Sequence, residues 1–555
     1  MADPSDNTLA PHYYRDNFLH LCDTVEAQYA DLFSPPEHLL LQRFRNLEFE
    51  AQCLYVRLVS RVGPWFRESK LAYAELGELA SLVDVLLEQG MLLQAAELPL
   101  DELGRLYTRR ELQQAFSSQL RVEAHDAKGS LLAAIGALPL AASETLELLS
   151  APDTERLVAP WGLEQVRCLQ LLFFGNRRQS LTEFVLSDLG VARYYSYALD
   201  REQRLFPRRE ALDEYLTAAA LSDRWYELRE AGQPEDLLVL ADHVLAADIV
   251  YPSSEGRWHR LCNAMGRDLE RRGEMDRAYR LYGRSQRHPA RERRARVLEK
   301  REDWTGAVTL CEEILANPWC EGESEAASRI LPRVRRKLDG SRVPRRRDKF
   351  PEVRLFLSPG TGPVELQAAD HLRQDWQSVY YVENKLMNAL FGLAFWEQIF
   401  TPVPGAFHNP YQSVPSDMYE PTFRLRRRDN LAARMAQLRE TDIALELREA
   451  YQRYVPLQCR WVDWRRIDAD LVDAAARVIP DGHLLAIWER MLFDPGENRR
   501  GFPDLIALGE QKGDYCLVEI KGPGDTLQDS QKRWLRYFQA QGIPAQVAWV
   551  EWQDD

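Results

Sequence analysis

The chain of 555 residues is 45% hydrophobic and 28% charged, which supplies packed cores and excludes a globally disordered protein. Single cores rarely grow past about 250 to 300 residues, so three or four domains are expected. No apolar run approaches the roughly 18 to 20 residues of a membrane span, and the start MADPSDNTLAPHYY has neither the basic nor the apolar part of a secretion signal, so the protein is expected to stay in the cytoplasm where it is made. Cysteines stand singly at 22, 53, 168, 262, 311, 320, 459 and 516, with no CxxC pair and no Cys/His cluster, predicting reduced thiols and neither disulfides nor zinc. The formal charge of -14 argues at first against a nucleic-acid partner, but its distribution reverses that. Gly256 to Arg301 holds 15 Lys/Arg against 6 Asp/Glu, and Arg329 to Lys349 holds 10 against 2, and it is the local field that steers a polyanion.

In chain order, residues 13–60 carry apolar residues at three- and four-residue spacing and read as helical, and the pattern is expected to continue from Ser69 to Gly90. LPLDELGRLYTRRELQQAF and DAKGSLLAAIGAL read as two short helices around a polar stretch, which looks like a SAP-type DNA-binding module. Gly266, Leu269, Gly273, Ala278, Tyr282, Ser285 and Pro289 fall where a tetratricopeptide repeat alternates small and large residues. Ala307 and Pro318 return 29 residues after Ala278 and Pro289. KLDGSRVPRRRDKFPEV, with Arg345, Arg346 and Arg347, is aperiodic and basic, and reads as a linker lying near phosphate. Then come a helix from about Trp376 to Phe400, helical stretches at about 425–454 and 468–493, a hairpin made by DLIALGE and YCLVEIKG around a KGD turn, a helix in LQDSQKRWLRYFQAQG, and a strand AQVAWVEW. A small mixed sheet flanked by helices is predicted.

The chemistry concentrates in GFPDLIAL and LVEIKGPGD. Glu519 and Lys521 lie two apart on a strand and leave on one face, and Asp504 stands at the mouth of the preceding strand. Neighbouring carboxylates repel and are costly to bury unless a cation sits between them. Oxygen donors without Cys or His favour a hard ion, Mg²⁺ or Mn²⁺. Such an ion polarises a phosphoryl oxygen and acidifies a bound water, while Lys521 holds or deprotonates that water or offsets developing charge. Arg499 and Arg500, just before Asp504, are candidates to hold a phosphate. The aromatics Trp376, Tyr380, Tyr381, Trp396 and Phe400 recur at helical spacing and are expected in the core.

These stretches, with SQKRWL and, upstream, VENKLMNALFGLAFWEQIF and RRRDNLAARMAQL, resemble the VRR-NUC branch of the PD-(D/E)XK nucleases, typified by the Fanconi-anaemia-associated nuclease family. The resemblance extends over nearly the whole chain. It implies a mainly α-helical N-terminal and middle part followed by a C-terminal α/β nuclease. The divisions are an N-terminal helical DNA-binding region at 1–95, a SAP-like module at 96–140, a helical connecting region at 141–235, tetratricopeptide-like repeats at 236–338, a basic linker at 339–353 and the nuclease domain at 354–555. By the resemblance Glu383, supplied from an upstream helix, is the first acidic ligand. Asp504, Glu519 and the carbonyl of Ile520 complete the metal set, Lys521 is the active-site lysine, and Gln531 faces the site from the next helix. The absent N-terminal zinc finger implies a bacterial form, associated with the nucleoid.

The activity implied is a Mg²⁺- or Mn²⁺-dependent, structure-selective nuclease that cuts 5′ flaps and branched DNA, trims 5′ to 3′, and serves interstrand-crosslink repair. Its rivals are a Holliday-junction resolvase and a catalytically inactive scaffold that only docks DNA and partners. Phosphate contacts are expected from the Arg-rich helices, with salt-sensitive binding.

Overall fold

A computed structural model describes residues 11–120, 127–150, 155–179, 192–341 and 348–553. The chain divides into two compact units, Met1–Ala192 and Arg193–Asp555.

In the first unit the apolar spacing produces helices Tyr13–Tyr29, Pro35–Asn46 and Phe49–Val59. The second starts at a capping box in which Ser34 and Glu37 satisfy each other's exposed backbone N–H groups, with Pro35 at the first helical position. Phe18, Leu21, Leu40, Phe44, Leu54 and Leu58 are fully buried between them. The expected helix from Ser69 to Gly90 is shorter, Leu79–Glu88, and is bracketed by strands β1, Phe66–Arg67, and β2, Leu92–Gln94. Both pair antiparallel with β3, Leu157–Pro160, a partner so distant in sequence that local periodicity does not reveal it. LPLDELGRLYTRRELQQAF is two helices, Leu100–Leu106 and Arg109–Ala115. The break is chemical: Thr108 and Glu111 form a second capping box, with the Glu111 carboxylate 2.7 Å from the Thr108 N–H. A third helix, Lys128–Gly136, shares their core of Leu103, Leu112, Phe116, Leu131 and Ile135. Residues 121–126 of the predicted polar stretch lie outside the described residues.

The second unit opens with β4, Arg193–Tyr194, and continues in antiparallel helix pairs, including Pro252–Arg271 with Met275–Gly283 and Ala290–Lys300 with Trp304–Ala316. The repeat reading holds at residue level. Leu269, Ala278, Tyr282, Ala307, Cys311 and Ile314 are buried, and Gly266 is small because the Tyr282 ring lies 2.8 Å from where a Cβ would stand. The basic surface expected there is largely spent internally. Ten of the fifteen Lys/Arg between Gly256 and Arg301 lie within ion-pair distance of a carboxylate, such as Arg291 with Glu323 at 2.7 Å and Arg301 with Asp276.

The remainder builds a five-stranded mixed sheet in the order β5 (Glu352–Leu357), β10 (Ala545–Trp552), β9 (Tyr515–Lys521), β8 (Leu505–Leu508), β6 (Ser378–Tyr381). A short strand β7, Leu457–Gln458, pairs with β4 instead. β10 runs parallel to β5 and β9, while β8 is antiparallel to β9 and β6. The expected helix from Trp376 to Phe400 is corrected: it is strand β6, a tight turn, helix Lys385–Ala394 and a short helix Trp396–Ile399. SVYY is β-branched and aromatic, and its backbone finds β8, which outweighs the helical spacing of the larger residues. The four-residue β8 begins only at Leu505, so Asp504 stands just before the first ladder pairs, at the sheet's end beside β9.

Candidate active site

Glu519 and Lys521 point to the same side of β9, as their spacing predicts: Lys521 Nζ donates to Glu519 Oε1 at 2.6 Å, and the two are only 0% and 8% exposed. Glu519 Oε1 also accepts from the Gln531 side-chain amide, whose own carbonyl oxygen caps the helix Asp529–Gln541 through the Gln528 N–H at 2.8 Å. The helix start therefore orients Gln531, and Gln531 orients Glu519. Asp504 Oδ2 accepts from the Ile520 N–H at 2.9 Å. On a strand the N–H and C=O of one residue leave on the same edge, so the Ile520 carbonyl faces the same end of β8.

The Asp504 carbonyl accepts from both the Val382 and Glu383 N–H groups at 2.9 Å, which pins the turn after β6 to the site. Glu383 lies in that turn, not on a helix as expected, with φ of 35°. This left-handed conformation costs a non-glycine residue about 1 to 2 kcal/mol and clusters at functional positions. Its carboxylate meets the Tyr381 hydroxyl at 3.3 Å and the Asn384 amide at 3.2 Å, and Asn384 in turn accepts from the Phe502 N–H at 3.1 Å. Gly501, next to Phe502, has φ of 84° and would place a Cβ 2.6 Å from the Ser530 backbone, so only glycine lets this loop pass the start of the last helix.

The electrostatics follow from burial. Burial pushes the Asp504 carboxyl up to about 6, Ile520 and Lys521 opposing it and Glu365 and Glu383 adding to it. Burial, then Asp504, then Glu383 push Glu519 up to about 8 against the counterweight of Lys521. One lysine does not compensate this many carboxyl groups. Glu519 Oε2 is buried with no hydrogen-bond partner, the atom a cation would satisfy. Among the described residues no three His, Cys, Asp or Glu side chains are already closed around one point: Asp504 and Glu519 form a pair, with Glu383 and Glu365 at its rim.

Tyr381, expected in the core, is 37% exposed and faces Glu383, whereas Trp396 and Phe400 are buried as predicted. Glu365, from the helix Val364–Leu372, escaped the sequence reading because a lone Glu in a helical first turn carries no signal; only the fold brings it within electrostatic reach of Asp504. Arg499 lies with its guanidinium 4.5 Å from the Tyr419 ring centre, and Arg500 is exposed in the same loop; neither hydrogen-bonds the acidic pair. Arg345, Arg346 and Arg347 lie outside the described residues.

An acidic pair and a lysine at the end of a mixed sheet, braced by a glutamine from the following helix, define a nuclease domain of the PD-(D/E)XK kind. Residues 438–552 match the VRR-NUC domain, residues 12–93 the FAN1 HTH domain, and residues 97–144 the Fanconi anemia-associated nuclease SAP domain. The chain is 35% identical over 563 residues to the Fanconi-associated nuclease 1 homolog of Pseudomonas aeruginosa, an alignment covering 98% of this chain and 97% of that one. It is 23% identical to the Fanconi-associated nuclease 1 of Homo sapiens, covering 99% of this chain and 63% of that protein. A crystal structure of paFAN1 bound to 2nt 5'flap DNA with gap superposes with a TM-score of 0.83 and 34% identity over 100% of both chains. The chain belongs to the Fanconi-associated nuclease family, and is thus a metal-dependent nuclease, a phosphodiesterase. Among the described residues no helix is long and apolar enough to cross a membrane.

Proposed function

We propose that the chain is a structure-selective DNA nuclease that cuts 5′ flaps and branched DNA and trims 5′ to 3′, with Mg²⁺ or Mn²⁺ as its ion, acting at the bacterial nucleoid in interstrand-crosslink repair. The observation that carries the reading is the under-compensated pair at the sheet's end, half-buried Asp504 and buried Glu519, with Glu519 Oε2 unsatisfied. The all-oxygen donor set of Glu383, Asp504, Glu519 and the Ile520 carbonyl fits a hard divalent ion and not zinc. When bound, such an ion supplies Lewis acidity toward a phosphoryl oxygen and lowers the pKa of water. Lys521 holds the attacking water and offsets the charge that builds on the phosphoryl oxygens, and Gln531 fixes the carboxylate that faces it. Arg499, Arg500 and the basic run Arg345 to Arg347 contribute DNA contacts. The boundaries read from the sequence, with the nuclease domain at 354–555, are part of the proposal. The flap preference rests on the similar paFAN1, whose crystal structure holds 5'flap DNA.

A cleavage assay tests it. Labelled 5′-flap and four-way-junction DNA are incubated with wild type and Asp504→Ala in Mg²⁺, Mn²⁺ or EDTA. Metal-dependent product from the flap, absent in the variant, is expected. Equal product from both proteins refutes the site, and paired symmetric nicks in the junction move the activity to a resolvase.

A further inference from the structure

The arginines of the helical repeats are mostly neutralised by their neighbours, which leaves open where the strand being cut is held. One part of the nuclease unit is different. An open cleft of 670 Å³ is walled by Lys385, Arg460, Asp463, Trp464, Arg465 and Arg466, among others. Arg460, Arg465 and Arg466 are exposed, and among the described residues none has a carboxylate within ion-pair distance. The one acid in the wall, Asp463, is already engaged by Lys385 at 2.5 Å and by the Arg465 N–H at 3.3 Å. In a chain with net charge -14, three exposed guanidinium groups around a single acid, which Lys385 already engages and Arg466 also reaches electrostatically, concentrate positive field in one cleft.

The loop that carries them is fixed. The Arg460 N–H donates to the Ser413 carbonyl at 3.2 Å and the Trp464 indole N–H to the Leu457 carbonyl at 2.7 Å, while Ile467 and Arg466 close turns onto the Asp463 carbonyl at 3.0 Å. Trp461 and Val462 anchor it in the core. The position is also fixed: Lys385 is two residues from Glu383, at most about 7 Å along the backbone. Arg499 lies over the Tyr419 ring at 4.5 Å, and the charges of Arg499, Arg460 and Arg500 all reach the Tyr419 hydroxyl and oppose the rise that burial imposes on it. Arg460, Arg465 and Arg466 thus share one cleft with Lys385, and Arg460 and the loop that leads to Asp504 are both within electrostatic reach of Tyr419.

We propose that this cleft holds internal backbone phosphates of the DNA strand being cut, with Arg460, Arg465 and Arg466 as the contacting groups and the Lys385–Asp463 pair as the brace of its wall. Guanidinium groups match phosphate oxygens in bidentate fashion, and a preformed loop loses little order on engaging them. The proposal rests on the DNA-nuclease reading above.

The test uses the full chain carrying Asp504→Ala, so that nothing is cut, in EDTA. Its affinity for a fluorescent 5′-hydroxyl flap is measured across a salt series, alone and with Arg460→Ala, Arg465→Ala, Arg466→Ala and all three together. Each lost contact is expected to flatten the slope of log affinity against log salt by about 0.9. Arg465→Lys keeps the slope and binds more weakly than Arg465. Circular dichroism checks the triple variant; should it not fold, the single variants at the exposed positions 465 and 466 decide. Slopes and affinities equal to the parent's overturn the proposal, and so does a loss seen only on a 5′-phosphorylated flap, which assigns the cleft to a terminal phosphate. Flattened slopes in a protein whose wild type cuts nothing leave the cleft standing and remove the nuclease reading; unchanged slopes in one that cuts flaps do the opposite.

Discussion

Glu270 in the helical repeats and Glu519 on β9 are buried alike, at 3% and 0% exposed, yet the fold treats them oppositely. Glu270 accepts from Arg293, from Lys300 at 2.8 Å and from the Tyr282 hydroxyl at 3.1 Å. Burial pushes its carboxyl up, but the hydrogen bonds and charges of Arg293 and Lys300 outweigh that and hold it below the usual range. Glu519 has one lysine and an acidic neighbour, and ends near 8. Burial is common to both, so it does not mark function. What separates them is whether the chain itself supplies the compensating charge or leaves it to a ligand.

That contrast is broken most directly by substitution. Glu519→Gln keeps shape and hydrogen-bonding partners but removes a ligand charge. Flap cleavage is expected to fall on the order of 10³-fold, equivalent to several kcal/mol of lost transition-state stabilisation, in single-turnover kinetics. The same variant, free of metal, is expected to melt no lower than wild type near pH 7, because it replaces a carboxyl that burial and Asp504 already keep largely protonated there. Glu270→Ala is the mirror image. It strands Arg293 and Lys300 and is expected to lower the unfolding free energy by about 3 kcal/mol in urea titration, with cleavage per folded molecule retained. A Glu270→Ala protein as stable as wild type would show that its partners, and not the carboxylate, hold the repeats together.

How much of this was readable from the residues follows the range of the interactions involved. Asp504, Glu519 and Lys521 were legible because strand alternation is local and forces Glu519 and Lys521 onto one face. The hairpin and the repeat positions Gly266, Ala278 and Tyr282 were legible for the same reason. The strands β3 and β6 were not, since each is defined by a partner that lies far along the chain. The resemblance singles out Glu383 but puts it on a helix; it lies in a turn, held because the Asp504 carbonyl, 121 residues later in sequence, clamps two successive N–H groups. The Arg-rich stretch misled for a related reason. Counting charges in a window does not see Glu323 arriving from the next helix but one to pair with Arg291.

A smaller effect sharpens the comparison at its second level. Gln531 touches Glu519 without belonging to the acidic set, and its carbonyl is held by the helix start. Gln531→Ala frees the Glu519 carboxylate to rotate, so metal affinity and cleavage are each expected to fall about 10- to 100-fold. Gln531→Glu instead adds a carboxylate to an already crowded site. Calorimetric metal titration of the two variants separates orientation from charge: loss in Gln531→Ala with affinity kept or gained in Gln531→Glu assigns the role to charge, and loss in both assigns it to the amide's geometry.

The gentlest probe is pH, and the two glutamates predict opposite signs. With its carboxyl raised, Glu519 binds a proton more tightly folded than unfolded, so its contribution to the stability of the metal-free protein is present below the unfolded value near 4 and is lost as pH rises toward about 8. Glu270, lowered, contributes stability above that unfolded value and loses it as pH falls below it. Divalent metal must displace the Glu519 proton, so apparent affinity should rise up to about tenfold per pH unit between about 6 and 8 and level off above. Below about 6 Asp504 is protonated as well, and the dependence steepens. Titration calorimetry in buffers of different ionisation enthalpy reads the released protons directly: close to one per ion near pH 7 is expected in wild type, and close to none in Glu519→Gln. Equal proton release in the two proteins would mean that the ion is held elsewhere, and that the difference between these two buried glutamates is not one of function.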